Sequence, residues 1–397
     1  MEKNYIYVGE NLKVLNNASF IQNTGQVDTV YIDPPYNTKR EFSYNDKKDR
    51  PTWLKFMSER LSATLPLMKE SGVVFISIDD NEYPYLKVLC DEIFGEENCL
   101  GTLITKQSQR SNAKYINVVH EYILCYAKNK KETRPFKIKR IFLPEDEKMI
   151  SAIVSKIKKV FRENGREEAK KTLDKLIRYY CHERNISWLR NYNCIDDEGN
   201  VFFAKDLSTP GKPRYVLIPE IGLKLESLKT RGWVNDKKFI ELYRENRLSY
   251  KGSRPYEIHY LTDSEENVSS ILNYYSRQGT EDLKRLGLHN LFDTPKPCKL
   301  LKFLIRISTP PNGTVLDYFA GSGSIAQAVY ESNMEDNTSR HYILVQSEER
   351  MAENTKTYKA CQAIHIEPII SEALIYRINR FLSKNGLKDD YVIIKII

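Results

Sequence analysis

The stretch Val30–Lys39, VYIDPPYNTK, runs a short apolar strand straight into an acid, two prolines and a tyrosine. Proline has no backbone N–H for a sheet ladder, and the residue before a proline is driven to extended or turn backbone, so the strand must stop at Asp33. An acid is left at a strand end.

Outward from this point, residues 1–130 alternate short apolar runs with longer helical patterns: YIYV, VDTVYI, TWLKFMSERLSATLPLMKE, GVVFISI, YLKVLCDEIFG and EYILCYAK. Such alternation predicts a parallel sheet covered on both faces. From about residue 131 the period changes. Ile150, Ile153, Val154, Ile157 and Phe161 share one helical face, Leu173, Leu176, Ile177 and Tyr180 another, and Gly165 between them predicts a break into two helices. Residues 191–290 are aromatic and turn-rich, which predicts short strands in an irregular region. Strand and helix then return in GTVLDYFAGSGSIAQAVYE and HYILVQSEER. The expected organisation is an α/β, Rossmann-like domain formed by residues 1–130 and 291–397, interrupted by a helical and β-rich region at 131–290.

The chain has 397 residues and 41% apolar content, enough for a substantial core without staples. Seven scattered cysteines form no Cys-x-x-Cys and pair with no His spacing, so reduced thiols are expected, with no zinc site and no disulfide framework. The N-terminal MEKNYIYVGE has no signal-peptide hydrophobic region, and runs such as GVVFISI are too short to cross a bilayer, so a cytoplasmic protein without membrane association is expected. The net charge of +8 is local: residues 131–190 hold 17 Lys and Arg against 9 Asp and Glu. That excess suits the phosphates of a duplex, or equally a solvated helical surface.

In VLDYFAGSGSIAQAVYE a strand leads into Ala320-Gly321-Ser322-Gly323 and then a helical pattern with Ala326, Val329 and Tyr330. Glycines there allow close backbone approach to a ligand at a helix N-terminus, although such a turn can also be purely structural. The third glycine of a dinucleotide fingerprint is missing and no Walker lysine pattern occurs, which argues against NAD and ATP.

Together, Asp-Pro-Pro-Tyr after one strand and Phe-x-Gly-x-Gly after another resemble the catalytic and S-adenosyl-L-methionine motifs of the DNA amino-methyltransferases, in the order of their circularly permuted β group. YIYVGENLKVL, IDPPYNTKREFSY, VFISIDDNEYPYLK, HEYILCYAKN, NCIDDEGNVFFAKDLSTPGK, DTPKP and HYILVQ further resemble the modification subunits of type III restriction-modification systems. The resemblance implies transfer of a methyl group from S-adenosyl-L-methionine to N6 of an adenine in double-stranded DNA.

An exocyclic amino nitrogen is a poor nucleophile because its lone pair is delocalised into the ring, so two hydrogen-bond acceptors are needed to localise it. The resemblance assigns these to the Asp33 carboxylate and the Pro34 carbonyl; Pro35 stiffens the turn, and Tyr36 offers a ring face for the extruded base. A plain alternative reads the same residues as a proline-rich turn in which Asp33 caps the backbone and Tyr36 covers core.

The cofactor site follows by the same route: Asp317, Phe319, Ala320, Gly321, Ser322 and Gly323 around the amino-acid end, Lys296 and Pro297 closing the pocket, and Glu10 and Asn11 near the adenine ring. Glu10 stands where the family usually has Asp. The acid expected to hold the ribose is replaced by Gln346, with Glu348 two residues on, and either is a candidate.

The middle region is implied to recognise the target. KQSQRSNAK, residues 106–114, is rich in the side chains that read base edges, or is an ordinary polar loop. His120 is a candidate for the base pocket and Trp233 for a stacking platform, though both residue types more often serve structure at such positions. Implied partners are double-stranded DNA, a restriction subunit and a second copy of the chain. The alternatives are a cytosine-N4 methyltransferase and a noncatalytic DNA-specificity subunit.

Overall fold

The computed structural model describes residues 3–24, 26–38, 48–107, 114–388 and 391–396. The 106–114 stretch therefore lies mostly outside the described residues. The chain divides into two compact units, Met1–Phe136 with Val268–Ile397, and Lys137–Asn267.

The first unit is built on a nine-stranded sheet. In chain order its strands are β1 (Asn4–Val8), β2 (Val27–Ile32), β3 (Met68–Ile78), β4 (Cys99–Lys106), β5 (His120–Ala127), β6 (Ile271–Tyr275), β7 (Thr314–Asp317), β8 (His341–Gln346) and β9 (Tyr391–Lys395). They lie in the order β6-β4-β5-β3-β2-β7-β8-β1-β9. All neighbours are parallel except β5, which runs against both β3 and β4. The C-terminal ends of β1, β2, β7 and β8 consequently share one edge with the start of β5.

Both faces of the sheet are buried, and the two-residue period of a strand shows how. Tyr7, Val30, Ile32, Val74, Ile76, Leu316, Ile343 and Val345 join one core with Trp53, Met57, Leu61, Leu86 and Cys90. These last five come from α2 (Arg50–Thr64) and α3 (Tyr83–Phe94), which follow the short α1 (Asn11–Leu15). The intervening residues Ile6, Tyr31, Phe75, Val315, Tyr342 and Leu344 are equally buried but stand outside that core, on the other face. Helices α4 (Arg277–Arg285), α5 (Cys298–Ser308), α6 (Ser324–Asp336) and α7 (Ile370–Lys384) belong to the same unit, with α5 packed on β2 and α6. Each fully buried large apolar side chain contributes roughly 1.5–3 kcal/mol.

The boundary expected at residue 290 moves to 267. β6 is an edge strand whose Ile271 aligns with Ile104 of β4, and α4 continues from it into the sheet unit. Its sequence, ILNYY, buries only alternate residues and so reads like the aromatic region before it.

The second unit holds a helical stretch, Pro144–Glu183, that is interrupted at Gly165 (φ 78°, ψ −179°), giving the two expected helices. Ile150, Ile153 and Ile157 pack with Leu173 and Ile177 across that break. A four-stranded antiparallel sheet follows, and a ribbon pairing Lys137–Lys139 with Glu265–Asn267 joins the two ends of the unit. Trp233 is buried and its indole N–H donates to the Glu226 carbonyl at 2.9 Å, as a core residue does.

All seven cysteines are free thiols. Among the described residues no helix is long and apolar enough to cross a membrane, and no group of His, Cys, Asp or Glu is arranged to hold a metal ion.

Candidate active site

Two cavities open at the shared strand edge, one of about 290 Å³ and one of about 120 Å³. Asp33, Phe319, Gly321 and Ile370 line both. The strand end carrying the acid and the glycine loop, far apart in sequence, therefore meet in one crevice, because β2 and β7 are neighbours with Leu316 beside Val30.

The turn after β2 is held from several sides. The Trp53 indole N–H donates to the Pro35 carbonyl at 2.8 Å. Asn37, in the left-handed region at φ 56°, donates to Glu82 at 2.9 Å, and Glu82 is paired at 2.9 Å with Arg50. Pro35 lines the larger cavity, while Pro34 and Tyr36 line neither.

Tyr36 is instead fixed by its hydroxyl, which accepts a 2.6 Å hydrogen bond from Lys296. The same ammonium stands 2.8 Å from Glu121 Oε2 and 3.3 Å from Asp33 Oδ1, and the other Glu121 oxygen accepts from the Gln107 side chain. Lys296, placed by sequence with the cofactor residues, is thus also the cation of the Asp33 acid.

Burial pushes the Asp33 carboxyl above the usual carboxylate range; Lys296 opposes that shift and Glu121 adds to it. Burial would also raise Glu121, but Lys296, Gln107 and Tyr36 outweigh it and hold Glu121 below its ordinary value. Burial would lower Lys296, yet Asp33 and Glu121 together raise it well above a normal lysine, so it stays charged. Asp33 retains 25% of its side-chain surface, so a ligand can reach it.

The glycine loop follows β7. Gly321 and Gly323 have φ of 49° and 71°, a backbone region that other residues resist, and a Cβ on Gly323 would come 3.1 Å from Leu374. Asp317 is buried and accepts from the Phe319 N–H at 3.0 Å; burial holds its carboxyl well above the usual range, and the nearby Asp33 charge adds to the effect. Ser322 and Ser324 line the smaller cavity, and both hydroxyls accept from Arg377 at 2.7 Å. Arg377, 1% exposed on α7, also donates to the Ser322 carbonyl at 3.0 Å and to Gln327 at 3.1 Å. Pro297 lies at the start of α5 and lines neither cavity.

At the larger cavity, Glu10 caps α1 by accepting from the Lys13 N–H at 2.9 Å and is paired with Arg60. Asn11 donates to the Tyr318 carbonyl at 2.9 Å and accepts from Arg60 at 2.6 Å. The Arg60 guanidinium lies 3.5 Å over the Phe56 ring. Gln346 lines this cavity with its Oε1 taken by the Gly321 N–H at 2.7 Å, so it braces the glycine loop. Glu348 lines neither cavity and pairs with Lys395 at 2.8 Å; Glu349, which sequence reasoning passed over, is in the lining. His120 also lines neither, its Nε2 lying 2.8 Å from the Tyr122 hydroxyl, whose ring stacks on Tyr83.

Gln107, from the stretch read as a base-reading loop, instead holds Glu121; besides Glu349, the residues that sequence reasoning missed are Trp53, Arg60, Glu121 and Arg377. Each acts through a partner far away in the chain. The only sequence signal available was position: Glu121 opens a core strand, and Arg377 is a charge inside an otherwise apolar helix face.

Among known proteins, the chain is 30% identical to the type III restriction-modification enzyme EcoP15I Mod subunit of Escherichia coli, over 88% of this chain and 59% of that one. It is 27% identical to the type II methyltransferase M.KpnI of Klebsiella pneumoniae, over 99% and 90% of the two chains. The chain spans 59% of the length of EcoP15I Mod and of the similar Mod subunit of phage P1. The crystal structure of the M1.HpyAVI–SAM complex overlays with a TM-score of 0.39 at 14% identity, covering 91% of this chain and 99% of that one. The sequence model of the DNA methylase family matches residues 27–357, from the strand before Asp33 to beyond Gln346, and the chain belongs to that family.

Proposed function

We propose that the chain transfers the methyl group of S-adenosyl-L-methionine to N6 of an adenine turned out of double-stranded DNA. The observation that carries this reading is the crevice itself: Asp33 and the Phe319–Gly321 loop line the same two cavities. Membership of the DNA methylase family and the similarity to Mod subunits and M.KpnI support it.

The residues present fit the cofactor. Three acids, Asp33, Asp293 and Asp317, line the smaller cavity against one cation, Lys296, which suits a ligand bearing an ammonium and a sulfonium, and the Phe56 and Phe319 rings line the larger one, which suits a purine. When bound, the cofactor supplies an activated methyl group. Asp317 with the loop from Phe319 to Ser322 would hold its amino-acid end, and Glu10, Arg60 and Phe56 would surround its adenosine end.

Asp33 would then accept one amino hydrogen of the target base and the Pro34 carbonyl the other, concentrating the lone pair on nitrogen. Tyr36, its hydroxyl pinned by Lys296, presents a ring of fixed orientation for stacking. Base extrusion exposes the amino group to this arrangement. Gln346 keeps the loop in place, so ribose recognition in this reading passes to Glu349.

The unit Lys137–Asn267, with its clustered cations, would supply target recognition and duplex contacts. The order of the two motifs supports a circularly permuted domain of the β group. Similarity to Mod subunits supports a restriction subunit as a partner; a second copy of the chain and a cytoplasmic location complete the reading.

The test is product analysis. Purified protein is incubated with isotopically labelled S-adenosyl-L-methionine and unmethylated duplex DNA of mixed sequence, and the DNA is digested to nucleosides. Label in N6-methyladenine, absent with Asp33→Ala, is the expected result. Label in N4-methylcytosine would overturn the base assignment. No label, with cofactor and DNA both bound, would leave a binding subunit.

A further inference from the structure

Lys296 has three N–H donors and three oxygens around it: the Tyr36 hydroxyl at 2.6 Å, Glu121 Oε2 at 2.8 Å and Asp33 Oδ1 at 3.3 Å. The cation is therefore divided between two acids, and the shorter contact goes to Glu121. Glu121 is held in turn by Gln107 and by its place at the start of β5, where it aligns with Thr105 of β4. It lines neither cavity, so it acts through Lys296 and not on a ligand.

The charge count gives this arrangement a purpose. With Asp33 and Glu121 both ionised, these two carboxylates and the Lys296 ammonium carry one net negative charge among the three of them. Without Glu121, Lys296 and Asp33 would form a neutral pair, and the acid would face its ligand already compensated.

We propose that Glu121 is a positioning residue that draws Lys296 off Asp33, leaving the Asp33 charge uncompensated so that it favours a cationic sulfonium ligand over the neutral thioether left after methyl transfer. The inference rests on the S-adenosyl-L-methionine reading above. In that reaction the sulfur–methyl bond breaks, a nitrogen–methyl bond forms, sulfur keeps the bonding pair and becomes neutral, and the methylated amine, now acidic, gives up a proton to water. The site therefore meets a ligand that loses its positive charge on turnover, and a fixed negative charge separates substrate from product. Charge pairs in a partly buried site are screened far less than at the surface, so moving one charge here is felt by the ligand.

The test is equilibrium binding of S-adenosyl-L-methionine and of S-adenosyl-L-homocysteine to the full chain, by calorimetry, for the wild type, Glu121→Gln and Glu121→Asp. Glu121→Gln is expected to weaken the sulfonium ligand by about tenfold while leaving the thioether within about twofold, a change of order one charge–charge contact. Glu121→Asp keeps the charge and is expected to keep most of the preference. Equal weakening of both ligands, or an unchanged ratio in Glu121→Gln, overturns the inference while leaving the site as a cofactor pocket. A wild-type chain that binds neither ligand removes the cofactor reading and the inference together.

Discussion

Asp33 and Asp317 stand at the ends of the neighbouring strands β2 and β7 and line the same small cavity, yet the chain serves them differently. Asp33 faces a buried ammonium delivered from the segment before α5, whereas Asp317 has the backbone N–H of Phe319. Both carboxyls are raised by burial, and only for Asp33 does a cation offset the shift. Two acids of one crevice thus differ in charge habit because of what distant parts of the sequence bring to them.

The largest effect should come from Asp33→Asn. If Asp33 is the acceptor that readies the amine, its loss should lower the methyl-transfer rate at saturating cofactor by about 10²–10⁴-fold, as single-turnover kinetics would measure. Asp317→Asn should instead act mainly through cofactor affinity. Equal rate losses at saturating cofactor in both variants would break the distinction.

Next comes the support behind each acid. Arg377→Met removes the donor that Ser322, Ser324 and Gln327 share, and should cost about 3 kcal/mol in chemical denaturation, because those buried oxygens lose a charged partner. On the Asp33 side, a Cβ at Gly279 would lie 1.8 Å from the Pro295 carbonyl oxygen, next to Lys296. Gly279→Ala should destabilise by about 1–3 kcal/mol through overpacking and should also slow transfer by displacing Lys296. Stability loss without any loss of rate would separate α4 from the Asp33 site.

The smallest effect is in the pH dependence of stability. The folded carboxyl of Asp317 lies well above its ordinary value, so the native state keeps a proton that the unfolded chain releases. Its contribution to stability is complete below about pH 4 and is lost as pH rises through the folded value. Asp317→Asn, neutral at every pH, should melt higher than the wild type at pH 8, and the gain should vanish towards pH 4. A gain independent of pH would show that ionisation is not its source.

Much of this architecture was legible from sequence because its signals are local. The prolines after Ile32 stop β2, the glycines after Phe319 permit positive φ, and the alternation of apolar runs announces a sheet covered on both faces. The braces were not legible. Trp53, Arg60, Glu121 and Arg377 are ordinary residues in ordinary helices and strands, and their partners lie many residues away. The capping of α5 is similar: Pro297 can offer no side-chain cap, and Asp282 of α4 reaches across to take the Cys298 N–H at 2.9 Å. Glu348 misled for the opposite reason, since adjacency in sequence to Gln346 says nothing about which side of the chain it faces.

The ribbon that pairs Lys137–Lys139 with Glu265–Asn267 has an evolutionary consequence. Because the unit it closes leaves and rejoins the rest of the chain through two adjacent strands, a foreign sequence of any length could be spliced between them with only two junctions to match. Recombination at those two points would give lineages that keep the sheet unit with its crevice and differ in the second unit.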